Sequence, residues 1–181
     1  MLIARALCAI ALVALVASPS AGQAGPGPDL SRVRVLAIAP FADVASLSRP
    51  LADWGAERLS ELIARGPFQV IPPARVAAEM RRLGIAPEEL ISPTRTVTVG
   101  QAVGADAVIT GRVLLFQTER DSVGYRPFGG IPVSRVDVDV RVLEVGTRLN
   151  LFQETFICQV YAWGFAAMEC VVRDVASRLV R

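Results

Sequence analysis

The stretch Val99–Val113, VGQAVGADAVITGRV, decides the fold. It holds three glycines (Gly100, Gly104, Gly111), one acid (Asp106) and an apolar run, and it reads in two ways. A loop that cradles phosphate sets its glycines ahead of a helix, so that the free N–H groups of the first turn face the anion. Here the order is reversed. The preceding TRTVTVGQAV is a helix weakened by Thr and Val, and Gly104 suits the residue that ends it. Beyond Asp106, AVITGRVLLF is apolar on both faces at its start, as in a strand deep in a sheet. The stretch is a joint between a helix and a buried strand, with Gly111 marking a bulge or a close backbone approach.

Upstream, Val33–Phe41 (VRVLAIAPF) sets Val33, Val35, Ala37 and Ala39 on one face and Leu36 and Ile38 on the other. Both faces are apolar, which predicts a central strand ended by Pro40. Ser48–Arg65 is a helix, with Ser48 as cap, Pro50 in the first turn and Leu51, Gly55, Leu59 and Leu62 as its stripe. Gly66-Pro67 stops it. Phe68–Ile71 is a short strand. A second helix starts at Pro73, sets Val76, Met80 and Leu83 on one face, and ends at Gly84. Ala86–Ile91 is a helical turn.

Downstream, Gln117–Ser134 reads as a long Gly- and Pro-containing loop between strands. Arg135–Val145 (RVDVDVRVLEV) alternates: Val136, Val138, Val140 and Val142 face in, while Arg135, Asp137, Asp139 and Arg141 form a wet face. Gly146-Thr147 turns into a strand within Leu149–Trp163. The last helix, Phe165–Arg181, carries Met168, Val172, Val175 and Leu179. The expected fold is a single α/β domain of α+β character, a mixed sheet with helices packed on it, in the order β-α-β-α-(α)-β-β-β-α.

Ahead of that domain (33–181), residues 1–24 read as a signal peptide: Arg5, the 12-residue apolar run ALCAIALVALVA, then the small-x-small Gly22-Gln23-Ala24. The run is shorter than the roughly 20 residues of a spanning helix, which favours cleavage near Ala24 over a membrane anchor. Cys8 comes too early for a lipoprotein cysteine. Gly25–Arg32 is a flexible lead-in. Export places the chain in the periplasm, with no integral span after cleavage.

The 19 basic residues are all arginine, against 17 acids, for a formal net charge of +2. That balance leaves no basic footprint for nucleic acid or an anionic membrane. With no histidine there is no Ser-His or Cys-His pair and no His-bound metal; with no lysine there is no P-loop or Schiff base. The sequence implies no cofactor.

The words VRVLAIAPFADVA, GPFQVIPPARVAAEMRRLGI and AVGADAVITGRV, followed by an antiparallel pair and a helix, resemble a periplasmic α/β domain. It is the domain shared by the curli secretion channel (CsgG) family, the lipoprotein activators of penicillin-binding proteins, and the N-terminal domain of TolB. The resemblance runs from about Val33 to Arg181. It implies an envelope accessory or assembly protein that works by binding other proteins. The chain departs from the channel and activator relatives in lacking an anchor cysteine. It departs from the channels also in the Gln117–Ser134 insert, which lacks the alternation of a barrel hairpin.

Asp137 and Asp139 lie about 6.6 Å apart on one strand face, within reach of the carboxyl spacing of glycosidases. Acid catalysis needs a carboxyl that holds its proton, which the flanking Arg135 and Arg141 oppose. A charge ladder pairing across strands is the favoured reading, and the face of Arg135, Asp137, Asp139 and Arg141 is a candidate partner-binding surface. Tyr125, Arg126 and Phe128 in the long loop are either interface anchors or aromatics that fold back to pin the loop. Trp54 and Trp163 read as packing residues.

Cys158 and Cys170 are the two cysteines beyond the leader, and an oxidising compartment should pair them. Cys158 shares the inward parity of Phe156 and Val160, while Cys170 lies off the Met168–Val172 stripe. Pairing therefore needs a bulge or a shifted helix start, and two lone thiols disfavour a metal. The resulting expectation is a non-enzymatic periplasmic accessory factor that binds an envelope protein. The alternative is a periplasmic small-molecule-binding domain or a hydrolase using Asp137 and Asp139. Partner identity and oligomeric state are not legible.

Overall fold

The computed structural model describes residues 28–44, 49–120 and 132–180. Among them are six strands: β1 (Val35–Ile38), β2 (Ala42–Asp43), β3 (Gln69–Ile71), β4 (Ala107–Arg120), β5 (Pro132–Glu144) and β6 (Asn150–Val160). The helices are α1 (Arg49–Ile63), α2 (Pro73–Leu83), α3 (Pro93–Val103) and α4 (Gly164–Leu179), with one 3-10 turn at Pro87–Ile91. The sheet runs β3-β1-β4-β5-β6, and β2 pairs with β4. β3, β1, β2 and β4 are parallel, while β4, β5 and β6 are antiparallel. The expected mixed sheet with packed helices is met. The two-residue β2 beyond Pro40 is an addition that no pattern marks.

β1 is central and doubly covered. Leu36 and Ile38 pack with α1 and α4, while Ala37 and Ala39 pack against α2 and α3. On β5, Val136, Val138, Val140 and Val142 are fully buried beneath α4. α1 and α4 meet through Leu59, Ile63 and Met168, all buried, each side chain contributing about 1.5–3 kcal/mol.

The opening stretch is the predicted joint. α3 ends at Gly104, whose φ of 75° is the left-handed conformation a Cβ disfavours. Asp106 then accepts the backbone N–H groups of Arg34 and Val35, each at 2.9 Å, and pins the start of β1 beside β4. Those amides hold its carboxyl below the usual range. Gly111 makes a close approach: a Cβ there would stand 2.4 Å from the Phe41 ring. The bulge itself lies further on, between Val113 and Leu115.

Two expectations are corrected. Gln117–Ser134 is not all loop, because β4 and β5 pair through to Arg120 and Pro132, with the Thr118 and Ser134 hydroxyls 3.0 Å apart. Backbone pairing carries β4 through the exposed polar side chains of Gln117, Thr118 and Glu119. Nor is all of Gly25–Arg32 flexible, since Leu30 is buried in the core. The leader and the Ser48 cap lie outside the described residues.

Candidate functional site

Of the residues singled out in the sequence, Tyr125, Arg126 and Phe128 lie outside the described residues. Arg135, Asp137, Asp139 and Arg141 share one face of β5 as expected, but that face is only half wet. The Arg135 guanidinium donates to both oxygens of Asp137 at 2.9 Å, and this raises its own pKa. Across the strand pair, Arg112 stands 4.0 Å from Asp139. Each carboxylate keeps an arginine, but only Asp139 pairs across strands; Asp137 is held by a neighbour on its own strand.

Arg141 does something else. It donates to the carbonyl oxygens of Leu90 and, at 3.0 Å, Ile91, and its Nη2 lies 3.4 Å from Thr96 Oγ1. It is a strut that ties the 3-10 turn and α3 to the open side of β5. Burial pushes its pKa down. A small cleft of about 90 Å³ lies between this strut, Arg112, Asp139 and Gln153.

The most exposed apolar surface lies elsewhere, where β6 turns into α4. Tyr161 is 72 %, Trp163 65 % and Phe165 51 % exposed. The expectation that Trp163 packs is therefore wrong: it stands at the N-cap of α4, outside the buried stripe. Trp54 does pack, edge-on against Phe165, with ring centroids 5.4 Å apart. The signal missed in the sequence is the spacing Tyr161-x-Trp163-x-Phe165, three aromatics in alternation just after the last core residue of a strand.

Phe165 divides two clefts. One, of about 560 Å³, is lined by Pro50, Leu51, Phe116, Trp163 and Phe165 and is predominantly apolar. Its Phe116 and Thr118 lie on β4 just ahead of the segment carrying Tyr125, Arg126 and Phe128. The other, of about 450 Å³, is walled by Trp54 and Phe165 and rimmed by Glu57, Glu61 and Glu169. Arg58 bridges its rim, donating to Glu61 at 2.6 Å and to Glu169 at 2.8 and 3.0 Å. Arg173 reaches Glu169 from the other side at 2.6 Å. The Arg58 and Arg173 hydrogen bonds pull the Glu169 carboxyl down to about 2, and the same carboxylates push Arg58 up.

The disulfide is present. Cys158 and Cys170 are bonded with Cα atoms 6.3 Å apart. The anticipated conflict dissolves because β6 is the sheet edge, so the outer flank of α4 comes down to the inward-pointing Cys158. Among the described residues no helix is long and apolar enough to cross a membrane.

No protein-family model matches the chain, and no curated protein sequence matches it. Solved structures do. The PelC dodecamer from Paraburkholderia phytofirmans is 15% identical, with a TM-score of 0.57, covering 86% of this chain and 94% of that one. Lipoprotein GNA1162 from Neisseria meningitidis is 16% identical, with a TM-score of 0.55, covering 80% and 96%. LpoB from E. coli overlaps more loosely, at 13% identity and a TM-score of 0.47 over 87% and 84%. At these identities the likeness to PelC and GNA1162 is one of fold.

Proposed function

We propose that the chain is a non-enzymatic accessory or assembly factor of the bacterial cell envelope, exported to the periplasm, that acts by binding a protein partner there. The observation that carries this reading is the aromatic surface of Tyr161, Trp163 and Phe165. Large rigid aromatics left in water beside an apolar cleft are the residues that anchor protein interfaces, because they bury much area for few rotamers. The cleft beside them is rimmed by Glu57 and by the Arg58-linked Glu61 and Glu169, a polar rim around an apolar floor of Trp54 and Phe165.

Two further points support it. The leader Met1–Ala24 directs export. The sequence words of the CsgG, activator-lipoprotein and TolB N-terminal type imply an envelope protein, and the fold is shared with a bacterial lipoprotein, GNA1162. Tyr125, Arg126 and Phe128 remain candidate anchors on their residue types alone. The hydrolase alternative finds less support, since Asp137 is held bidentately by Arg135 and Asp139 faces Arg112.

The test is affinity capture from periplasm with the full chain as bait, followed by mass spectrometry. Reproducible, saturable enrichment of one envelope protein is expected. Recovery of the bait alone, with turnover of a small substrate by the purified chain, would replace this reading with the enzymatic one.

A further inference from the structure

The sheet ends differently on its two sides. β3, at one edge, has 3 residues, whereas β6, at the other, has 11. Among the described residues no strand pairs with the outer side of β6. Such an edge is a row of N–H and C=O groups open to another strand, and proteins blunt it with lysine, proline, a bulge or an inward-pointing charge. The β6 sequence NLFQETFICQV has no lysine and no proline, and its one charge, Glu154, lies on the helix-covered face, where Arg178 at 3.3 Å offsets it. Its single irregularity lies at the start, opposite Val142 and Leu143, leaving Phe152–Val160 regular. Ile157, on the open face, is 60 % exposed.

We infer that the outer edge of β6 seats β6 of a second copy of this chain, the two strands running antiparallel about a twofold axis at Thr155, so that two sheets become one. Register supports that axis. Opposed residues in an antiparallel pair share a face, so the axis passes through a residue. At Glu154 it would set two carboxylates against each other, which is destabilising. At Thr155, the midpoint of β6, threonine meets threonine, Gln153 meets Ile157, Phe152 meets Cys158 and Glu154 meets Phe156. No like charges are opposed, and the whole strand is used.

Packing above the sheet agrees. α4 lies against β5 and β6 alike, which sets its axis about one strand spacing, ~4.8 Å, from the proposed twofold. Two copies of α4 then stand about 10 Å apart, within the range of packed helices. The flank of α4 near this axis carries Arg178, which lies 3.3 Å from Glu154 and 3.7 Å from Asp174. Antiparallel copies bring Asp174 and Arg178 alongside their opposite-charged counterparts. A strand pair of this length spans about 37 Å, and with the helix contact it buries on the order of 1,000 Å², the size that separates a specific interface from incidental contact. This pairing does not rest on the envelope-partner reading, and either stands without the other.

The test is sedimentation of the purified exported chain at micromolar concentration, with cysteine scanning. The wild type should sediment as a dimer. Thr155→Lys combined with Ile157→Lys should sediment as a monomer with its far-ultraviolet circular dichroism unchanged. Thr155→Cys, at the axis, should oxidise to a covalent dimer, while Leu149→Cys, 61 % exposed but beyond the strand, should not. A monomeric wild type would overturn the inference. So would a dimer that survives the lysine substitutions, or one whose Thr155→Cys form does not cross-link.

Discussion

Cys158 on β6 and Cys170 on α4 are joined by a disulfide across a sequence separation of 12. The bond fastens the edge strand of the sheet to the helix that covers it. Closing a loop of that length removes unfolded-state entropy equivalent to about 3 kcal/mol in the chain-entropy description. Replacing Cys158 with Ala and Cys170 with Ser should lower stability by roughly that amount. Urea unfolding midpoints with and without reductant measure it, and thiol titration of the denatured, unreduced chain should find neither cysteine free.

Glu169 makes the second prediction. Its carboxyl sits at about 2 in the folded chain against an ordinary 4.5, because Arg58 and Arg173 hold the ionised form. A depressed carboxylate contributes stability that is complete above its unfolded pKa and is lost as pH falls through the folded one. The melting temperature should therefore drop between about pH 4.5 and pH 2, and Glu169→Gln should flatten that part of the profile. At neutral pH the same variant should cost about 1–2 kcal/mol, the worth of hydrogen bonds to a charged group on a partly exposed helix face.

A third prediction concerns Gly111 and Phe41. Since a Cβ at Gly111 would come within 2.4–2.6 Å of the ring, Gly111→Ala should destabilise by about 1–3 kcal/mol. Phe41→Leu in the same chain should recover part of the loss, since it removes the atoms in the way. Additive losses in chemical denaturation would show that the strain lies in the β4 backbone instead.

The legible parts of the fold are those where two independent signals coincide. β1 is apolar on both faces and is covered on both. α2 pairs its Val76 and Met80 stripe with Gly84, and the helix ends there. β5 alternates in sequence and in burial. The illegible parts depend on what lies beside a residue in space. Arg141 looks like a member of a solvated ladder until the 3-10 turn places carbonyl groups over it. Trp163 looks like core because tryptophan usually is, yet it falls after the last buried position of β6. Cys170 looks misplaced until β6 proves to be the edge strand. Strand residues 117–120 look like loop because polarity signals exposure, which a paired strand can also have.

The carboxylates on β5 give a fourth prediction. Asp137→Asn with Asp139→Asn should leave partner capture unchanged, because each acid already pairs with an arginine of its own sheet face. The two carboxylates are only 15–16 % exposed, so the expected stability loss is about 1–3 kcal/mol for each. Lost capture at unchanged folding would move the functional surface from the aromatic end to this face.

The central claim is that the aromatic surface at the β6–α4 junction binds an envelope protein. The most direct measurement is the affinity of the captured partner for wild type and for Trp163→Ala with Phe165→Ala, alongside Tyr125→Ala with Phe128→Ala. Interface aromatics contribute about 2 kcal/mol or more each, so the first pair should weaken binding at least 100-fold. Trp163 stands largely in water and Phe165 is half exposed, so the loss is mainly the Phe165 edge contact to Trp54, about 0.5–1.5 kcal/mol, and the melting temperature should fall by only several degrees. Affinity unchanged in Trp163→Ala with Phe165→Ala, with folding intact, would contradict the claim, and a loss confined to Tyr125→Ala with Phe128→Ala would move the interface to that segment.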